Sequence, residues 1–269
     1  MEKNCGLVKK MFEYIRSFLT QLGIEKNYSE YTLINYERDL TGFVDFLKGF
    51  NFSLEIQELS HLEIRRYLAY LQDKGYKRTT ISRKITCLRS FFKYLCQRAL
   101  ITKNPLKGIQ TPKLEKRLPK FLFLEESEDL LEKPKGDSLL GCRDRAILEA
   151  FYATGIRVSE LVALNLDDLN LTGGFLRVLG KGKKERIIPL GSKARESLQD
   201  YLTKVRPKLL KNNSLAEPVF LNKSGERISV RSVARIVNKY GEQLKLDRRI
   251  SPHVLRHSFA THLLDAEQI

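Results

Sequence analysis

Cysteine is scarce: Cys5, Cys87, Cys96 and Cys142 are spread over 269 residues, with no C-x-x-C spacing and no histidine close by. That spacing argues against zinc knuckles. Long hydrophobic runs are missing too. The opening MEKNCGLVKKMFEYIRSF carries charges where a secretory signal needs a continuous apolar stretch, and no later run is long enough to span a bilayer. The protein is therefore expected in the cytoplasm, without membrane insertion and with reduced thiols. Acidic residues are few relative to basic ones, 32 Asp plus Glu against 48 Lys plus Arg, for a net charge of +16. A compact body with that surplus repels itself unless an anionic partner is usual, and nucleic acid leads the candidates.

The surplus is shared along the chain. Before Lys113 there are 19 basic and 11 acidic residues, and from Lys113 onward 29 and 21. Two basic lobes fit a surface that grips a polyanion, whereas a disordered arm would have concentrated the charge. The chain is long enough for two domains. The prolines point to their boundary, because NPLKGIQTPKLEKRLPK carries three of them among lysines and arginines and resists helix. Residues 1–104 are thus expected to form a helical N-terminal domain, 105–119 a linker, and 120–269 a second domain.

The first hundred residues read as helices. Met11, Tyr14, Ile15, Phe18, Leu19 and Leu22 recur at helical spacing, as do Leu33, Tyr36, Leu40, Phe43, Val44 and Leu47 behind Ser29. Ser60-His61-Leu62-Glu63 is a capping box opening a third helix. A fourth begins near Thr79: Ile81, Ile85, Leu88, Phe92 and Leu95 share one side, and Ser82, Arg83, Thr86, Arg89 and Lys93 the other. That polar side, with Thr79 and Thr80 at its start, is either an ordinary solvated face or a contact for DNA phosphates and groove.

In the second lobe, CRDRAILEAFYATG reads as a helix stopped by Gly155, and VSELVALNLDDL as another short helical stretch. GFLRVLGKGKKERIIPL reads as a two-stranded hairpin with Lys181, Lys183 and Lys184 at its tip. GKG lacks the Ser or Thr of a nucleotide P-loop, so the tip is a solvated turn or a finger toward a phosphate. Arg157, between Ile156 and Val158, needs an anion if buried; Glu160 is the local partner and an external phosphate the alternative. Asp167 and Asp168 lack the further carboxylates of a metal nuclease and read as a cap. Helical stretches around Lys193 to Val205 and Val230 to Leu244 follow.

SPHVLRHSFATHLL holds three of the four histidines. His253 and His257 have zincin spacing, but Val254 stands where that motif carries glutamate, His262 falls on the opposite side of the helix from His253, and Arg256 would repel a dication. An anion fits better. Ser251 can cap and Pro252 suits the first helical position, so free N–H groups lie near His253 and Arg256, which share a face. Taken alone, the stretch reads first as an N-terminal turn with Arg256 paired to a carboxylate. His257 and His262 read as structural.

ATGIRVSEL, VLGKGKKERIIPL and SPHVLRHSFATHLL, in that order, resemble the catalytic domain of tyrosine recombinases, most of all the bacterial Xer branch. YTLINYERDLTGFVDFL and TTISRKITCLRSFFKYL are similar to that family's DNA-clamping helices. The resemblance implies a mainly α fold with a small antiparallel β-sheet, in two domains that clamp duplex DNA. It makes Arg157 and Arg256 the arginines holding the scissile phosphate, His253 the proton-handling histidine, and Lys181 the hairpin lysine that protonates the leaving 5′ oxygen, with Lys183 and Lys184 near in sequence. Thr79, Thr80, Ser82, Arg83, Thr86, Arg89, Lys93 and Lys183 would meet DNA. Strand exchange in the family runs through a 3′-phosphotyrosine, so neither metal nor other cofactor is implied. The implied role is chromosome dimer resolution, with an XerD-like recombinase in a heterotetramer on DNA and a septal DNA translocase as partners; a plasmid or phage integrase, or a non-catalytic DNA-binding remnant, is the alternative. The family's nucleophilic tyrosine lies well beyond the H-x-x-R helix, whereas all eleven tyrosines here precede His253. The expectation is therefore a truncated chain that, as written, binds duplex DNA without cleaving it; a covalent adduct on a nicked, phosphotyrosine-trapping duplex would show otherwise.

Overall fold

Helix-forming sequence at both ends and one hairpin between them make the architecture mainly α with a small sheet. The computed structural model describes residues 2–25, 28, 30–53, 55–112, 121–180, 184–210 and 217–266. The chain falls into two compact units, Met1–Lys116 and Arg117–Ile269. No helix among the described residues is long and apolar enough to cross a membrane.

The first unit contains α1 (Glu2–Glu25), α2 (Glu30–Gly49), α3 (His61–Asp73) and α4 (Arg78–Gln97). Each buries one face, because apolar residues three and four apart stack along a helix. Met11, Ile15, Phe18 and Leu22 of α1, Leu40, Phe43, Val44 and Leu47 of α2, and Ile81, Ile85, Leu88, Phe92 and Leu95 of α4 are all in the core. Aromatic edges knit it together, Phe18 on Phe91 at 5.4 Å and Phe43 on Tyr67 at 5.0 Å. The capping box at α3 forms as its sequence dictates: the Leu62 N–H donates to Ser60 Oγ at 3.1 Å and the Ser60 N–H to Glu63 Oε2 at 2.8 Å. A buried ion pair enters this core. Asp39, buried on α2, accepts from Lys84 at 3.0 Å and from Arg83, both on α4.

The second unit is organised on α6 (Leu139–Thr154), buried around most of its circumference by Ala146, Ile147, Leu148, Ala150 and Phe151. A helix apolar on so many sides belongs at the centre. Around it lie α5 (Leu124–Glu132), α7 (Val158–Ala163), α8 (Ser192–Asp200), α9 (Arg206–Leu209), α10 (Val230–Glu242) and α11 (Pro252–Ala266). Between α8 and α9 the chain takes a π turn, Tyr201–Val205, followed by Pro207, which has no N–H to give to a regular helical ladder. The sheet is antiparallel in the order β1 (Leu169–Asn170), β2 (Phe175–Leu179), β3 (Glu185–Pro189). Its register sets Leu176 opposite Ile188 and Val178 opposite Arg186. Cross-strand partners share a face. Leu176 and Val178 are buried, so Arg186 stands on the inward face of β3.

Candidate functional site

Three segments distant in sequence meet at one carboxylate. The first is the turn after α6, which Gly155 ends in the left-handed conformation at φ 55°, its N–H donating to Phe151 O at 3.0 Å. Any Cβ there would also lie 2.1 Å from Phe259 Cδ1 of α11. Glycine is thus required twice over, by backbone and by neighbour. Gly155→Ala is expected to lower the stability of the second unit by about 2 kcal/mol, from the left-handed penalty and the displaced ring together. A urea midpoint unchanged from wild type would contradict this packing.

Arg157 follows as the residue preceding α7. Its backbone N–H donates to Glu160 Oε2 at 2.7 Å and its Nη1 to Oε1 at 2.9 Å, so the local partner named by the sequence does hold it. Half its side chain stays exposed, 53%, against 6% for Glu160. One edge of the guanidinium is therefore fixed by a buried carboxylate and the rest faces outward. Arg256 arrives from α11, with Nη1 3.9 Å from Glu160 Oε2 and without a hydrogen-bond partner among the described residues, although that atom is buried. Arg186 reaches in from β3 and donates to Oε2 at 2.7 Å.

One carboxylate thus faces three guanidinium groups, and the positive charge is only partly compensated. Burial first, then Arg157, pulls the Arg256 guanidinium below its usual pKa; Glu160 works the other way and Arg186 adds to the lowering. An arginine nevertheless stays charged in a protein. The arrangement suits a bound oxyanion, which would satisfy rigid planar donors and cancel the surplus. His253 stands exposed on the first turn of α11, behind Ser251, whose Oγ lies 3.4 Å from the Val254 N–H. The free N–H groups and positive dipole end of that helix lie beside it.

The other histidines of α11 hold structure. His262 Nε2 is 2.9 Å from Leu122 O and its Nδ1 2.7 Å from the Tyr152 hydroxyl. A carbonyl can only accept, so in the neutral ring Nε2 carries the proton and Nδ1 accepts from Tyr152. His257 meets Phe121 edge-on at 6.4 Å. Ser258 Oγ accepts from the Leu122 N–H at 2.7 Å, tying the segment before α5 to α11. Asp168 caps its own turn, accepting from the Asn165 N–H at 2.9 Å. Among the described residues no group of three or more His, Cys, Asp or Glu side chains could hold a metal ion.

Lys181 and Lys183 lie outside the described residues. On either side of them, the Gly180 N–H donates to Lys184 O at 2.8 Å and closes the hairpin. On α4, Thr79, Arg83, Thr86 and Lys93 are exposed, and Thr80, Ser82 and Arg89 half-buried. Part of that polar face is engaged within the protein. Arg83 pairs with Asp39, Thr86 Oγ1 donates to Ser82 O at 3.0 Å, and Arg89 reaches Ile109 O at 3.0 Å and Thr111 Oγ1 at 3.3 Å. Sequence reasoning passed over Arg186. The signal was there: in ERIIP it alternates with Ile188, so it occupies an inward position where an arginine needs an anionic partner.

Residues 120–268 match the phage integrase family, and residues 15–99 the phage integrase N-terminal SAM-like domain. The chain is 45% identical to tyrosine recombinase XerC of Pelotomaculum thermopropionicum over 95% of its own length and 86% of the relative's. It is 49% identical to XerC of Natranaerobius thermophilus, covering 92% and 84%, and 40% identical to XerD of Oceanobacillus iheyensis, covering 95% and 86%. Among solved structures, a lambda integrase dimer bound to a COC′ core site superposes with a TM-score of 0.71 at 20% identity, over 96% of this chain and 90% of that one. XerH bound to a palindromic difH substrate gives 0.71 at 21%, over 91% and 72%. At those identities the likeness speaks for the fold.

Proposed function

We propose, for a chain that belongs to the tyrosine recombinases of the phage integrase family, that Arg157 and Arg256 grip a backbone phosphate of duplex DNA at a site of strand cleavage and rejoining. The observation that carries this reading is the pair of guanidinium groups brought from the turn before α7 and from α11 to one buried carboxylate, the second with a buried donor still lacking a partner among the described residues. Phosphoryl transfer spreads negative charge over the phosphate's non-bridging oxygens, and fixed bidentate donors stabilise that charge without reorganising. His253 is the proton-handling group beside them, and Lys181 the general acid for the leaving 5′ oxygen. No metal or other cofactor enters the scheme. On α4, exposed Thr79 and Lys93 supply phosphate contacts, with Thr80, Ser82, Arg83, Thr86 and Arg89 along the same helix and Lys183 at the hairpin.

The reading extends to a Xer-type role in resolving chromosome dimers in the cytoplasm, together with an XerD-like recombinase in a heterotetramer and a septal DNA translocase. What supports the first two is identity of 40% or more with curated XerC and XerD proteins. The division of the chain into a helical DNA-binding domain, 1–104, a linker, 105–119, and a catalytic domain, 120–269, belongs to the same reading.

Duplex binding followed by fluorescence anisotropy across a salt series tests it. The logarithm of affinity should fall linearly with the logarithm of salt, and Arg157→Ala or Arg256→Ala should each cost about tenfold in affinity and about one in slope. Flat salt dependence, or wild-type slopes in both variants, would sink the proposal. An active enzyme separates from a mere binder in cleavage, where losing one such donor costs about 10²–10³ in rate because the charge it meets is greatest in the transition state.

A further inference from the structure

We propose that Arg186 is a positioning residue for Arg256: by occupying Glu160 Oε2 it keeps the Arg256 guanidinium from closing onto that carboxylate and leaves it free for phosphate. The inference rests on the reading of Arg157 and Arg256 as the phosphate-holding pair. Arg186 is outside the set of residues that the resemblance assigns a role.

The argument is one of acceptor capacity. Glu160 Oε1 receives Arg157 Nη1 at 2.9 Å. Oε2 receives the Arg157 backbone N–H at 2.7 Å and Arg186 Nη2 at 2.7 Å, which fills both of its lone-pair directions. Arg256 Nη1 is held at 3.9 Å from that same oxygen, too far for a hydrogen bond, and is buried with no other partner among the described residues. A buried donor ordinarily finds an acceptor, and here the nearest one is already taken. Arg186 can do this because β3 sets it opposite Val178 on the inward face of the sheet. Without it, Arg256 would have an open carboxylate oxygen within reach and would settle there as a plain ion pair. With it, three cations share one anion, and the group left over is the one that faces a ligand.

The test is a double-mutant cycle on the full chain, read as affinity for a fluorescein-labelled duplex carrying a Xer-type recombination site. Arg256→Ala in the wild-type background should weaken binding about tenfold, and in the Arg186→Met background less than about threefold, because there Arg256 is already engaged by Glu160. Arg186→Lys, whose ammonium still occupies Oε2, should restore the wild-type response to Arg256→Ala. Equal losses in the wild-type and Met backgrounds overturn the positioning role, as does a failure of lysine to restore the response. A merely structural Arg186 would lower the unfolding midpoint and leave the Arg256 effect unaltered. Should Arg186→Met not fold, Arg186→Leu, which likewise has no donor for Oε2, is measured in the same way with the same two outcomes. If Arg256→Ala costs nothing even in the wild-type background, the phosphate-binding reading itself fails, which is a different result from an additive cycle.

Discussion

Replacing Glu160 by alanine is expected to destabilise the second unit by about 3 kcal/mol, near the lower end of the range for breaking a buried ion pair. The carboxylate is 6% exposed and accepts from Arg157 twice and from Arg186 once, with Arg256 close by. Its removal leaves guanidinium groups facing one another with nothing negative between them. The figure is at the low end because Arg157 and Arg186 are about half exposed and can turn partly to water. Urea unfolding of the full chain measures it, and a loss below about 1 kcal/mol would mean that the arginines are solvated independently of Glu160. A second readout follows from the same electrostatics. Added duplex DNA should raise the midpoint of the variant more than that of the wild type, since a phosphate then supplies the missing charge.

In the first unit the larger effect belongs to Asp39→Ala, for which a loss of about 3–5 kcal/mol is expected. Asp39 is 2% exposed and Lys84 8%, so truncating the carboxylate strands an ammonium inside a helical core, beside the Arg83 pair. The Tyr76 ring, 5.7 Å from the ammonium, is a weak substitute. Removing both charges distinguishes a bad vacancy from a needed bond: Asp39→Leu with Lys84→Met should recover most of the loss, because a packed apolar pair replaces a buried ion pair at little cost. Should the double variant be as unstable as Asp39→Ala, the pair would instead be specifying how α2 and α4 meet. Arg83 would lose its tether in either case.

Most of the helical framework could be read from spacing. The α3 cap at Ser60 and Glu63, the stop at Gly155, the antiparallel hairpin, and the start of α11 at Pro252 depend on backbone groups a few residues apart, and side chains alone decide such contacts. The same holds for Asp168, which caps a turn. Where reading fell short, the partner was distant. The helical stretch read around Lys193 to Val205 widens into a π turn from Tyr201. The polar face of α4 looked uniformly free, yet Arg89 reaches Ile109 and Thr111, and Arg83 reaches Asp39.

By itself the amino-acid order determined which segments are helix or strand, which faces are apolar, that two basic lobes seek a polyanion, and which arginines and histidines are candidates for its phosphate. Those properties follow from local sterics, periodicity and charge, and need no knowledge of what lies across the fold. Only the tertiary structure decided that Glu160 serves three arginines at once, that Arg186 is one of them, and that His262 is held by Tyr152 and Leu122. A carboxylate has few acceptor positions, and which donors fill them depends on how α7, β3 and α11 pack together, a matter of three-dimensional proximity that no spacing along the chain encodes.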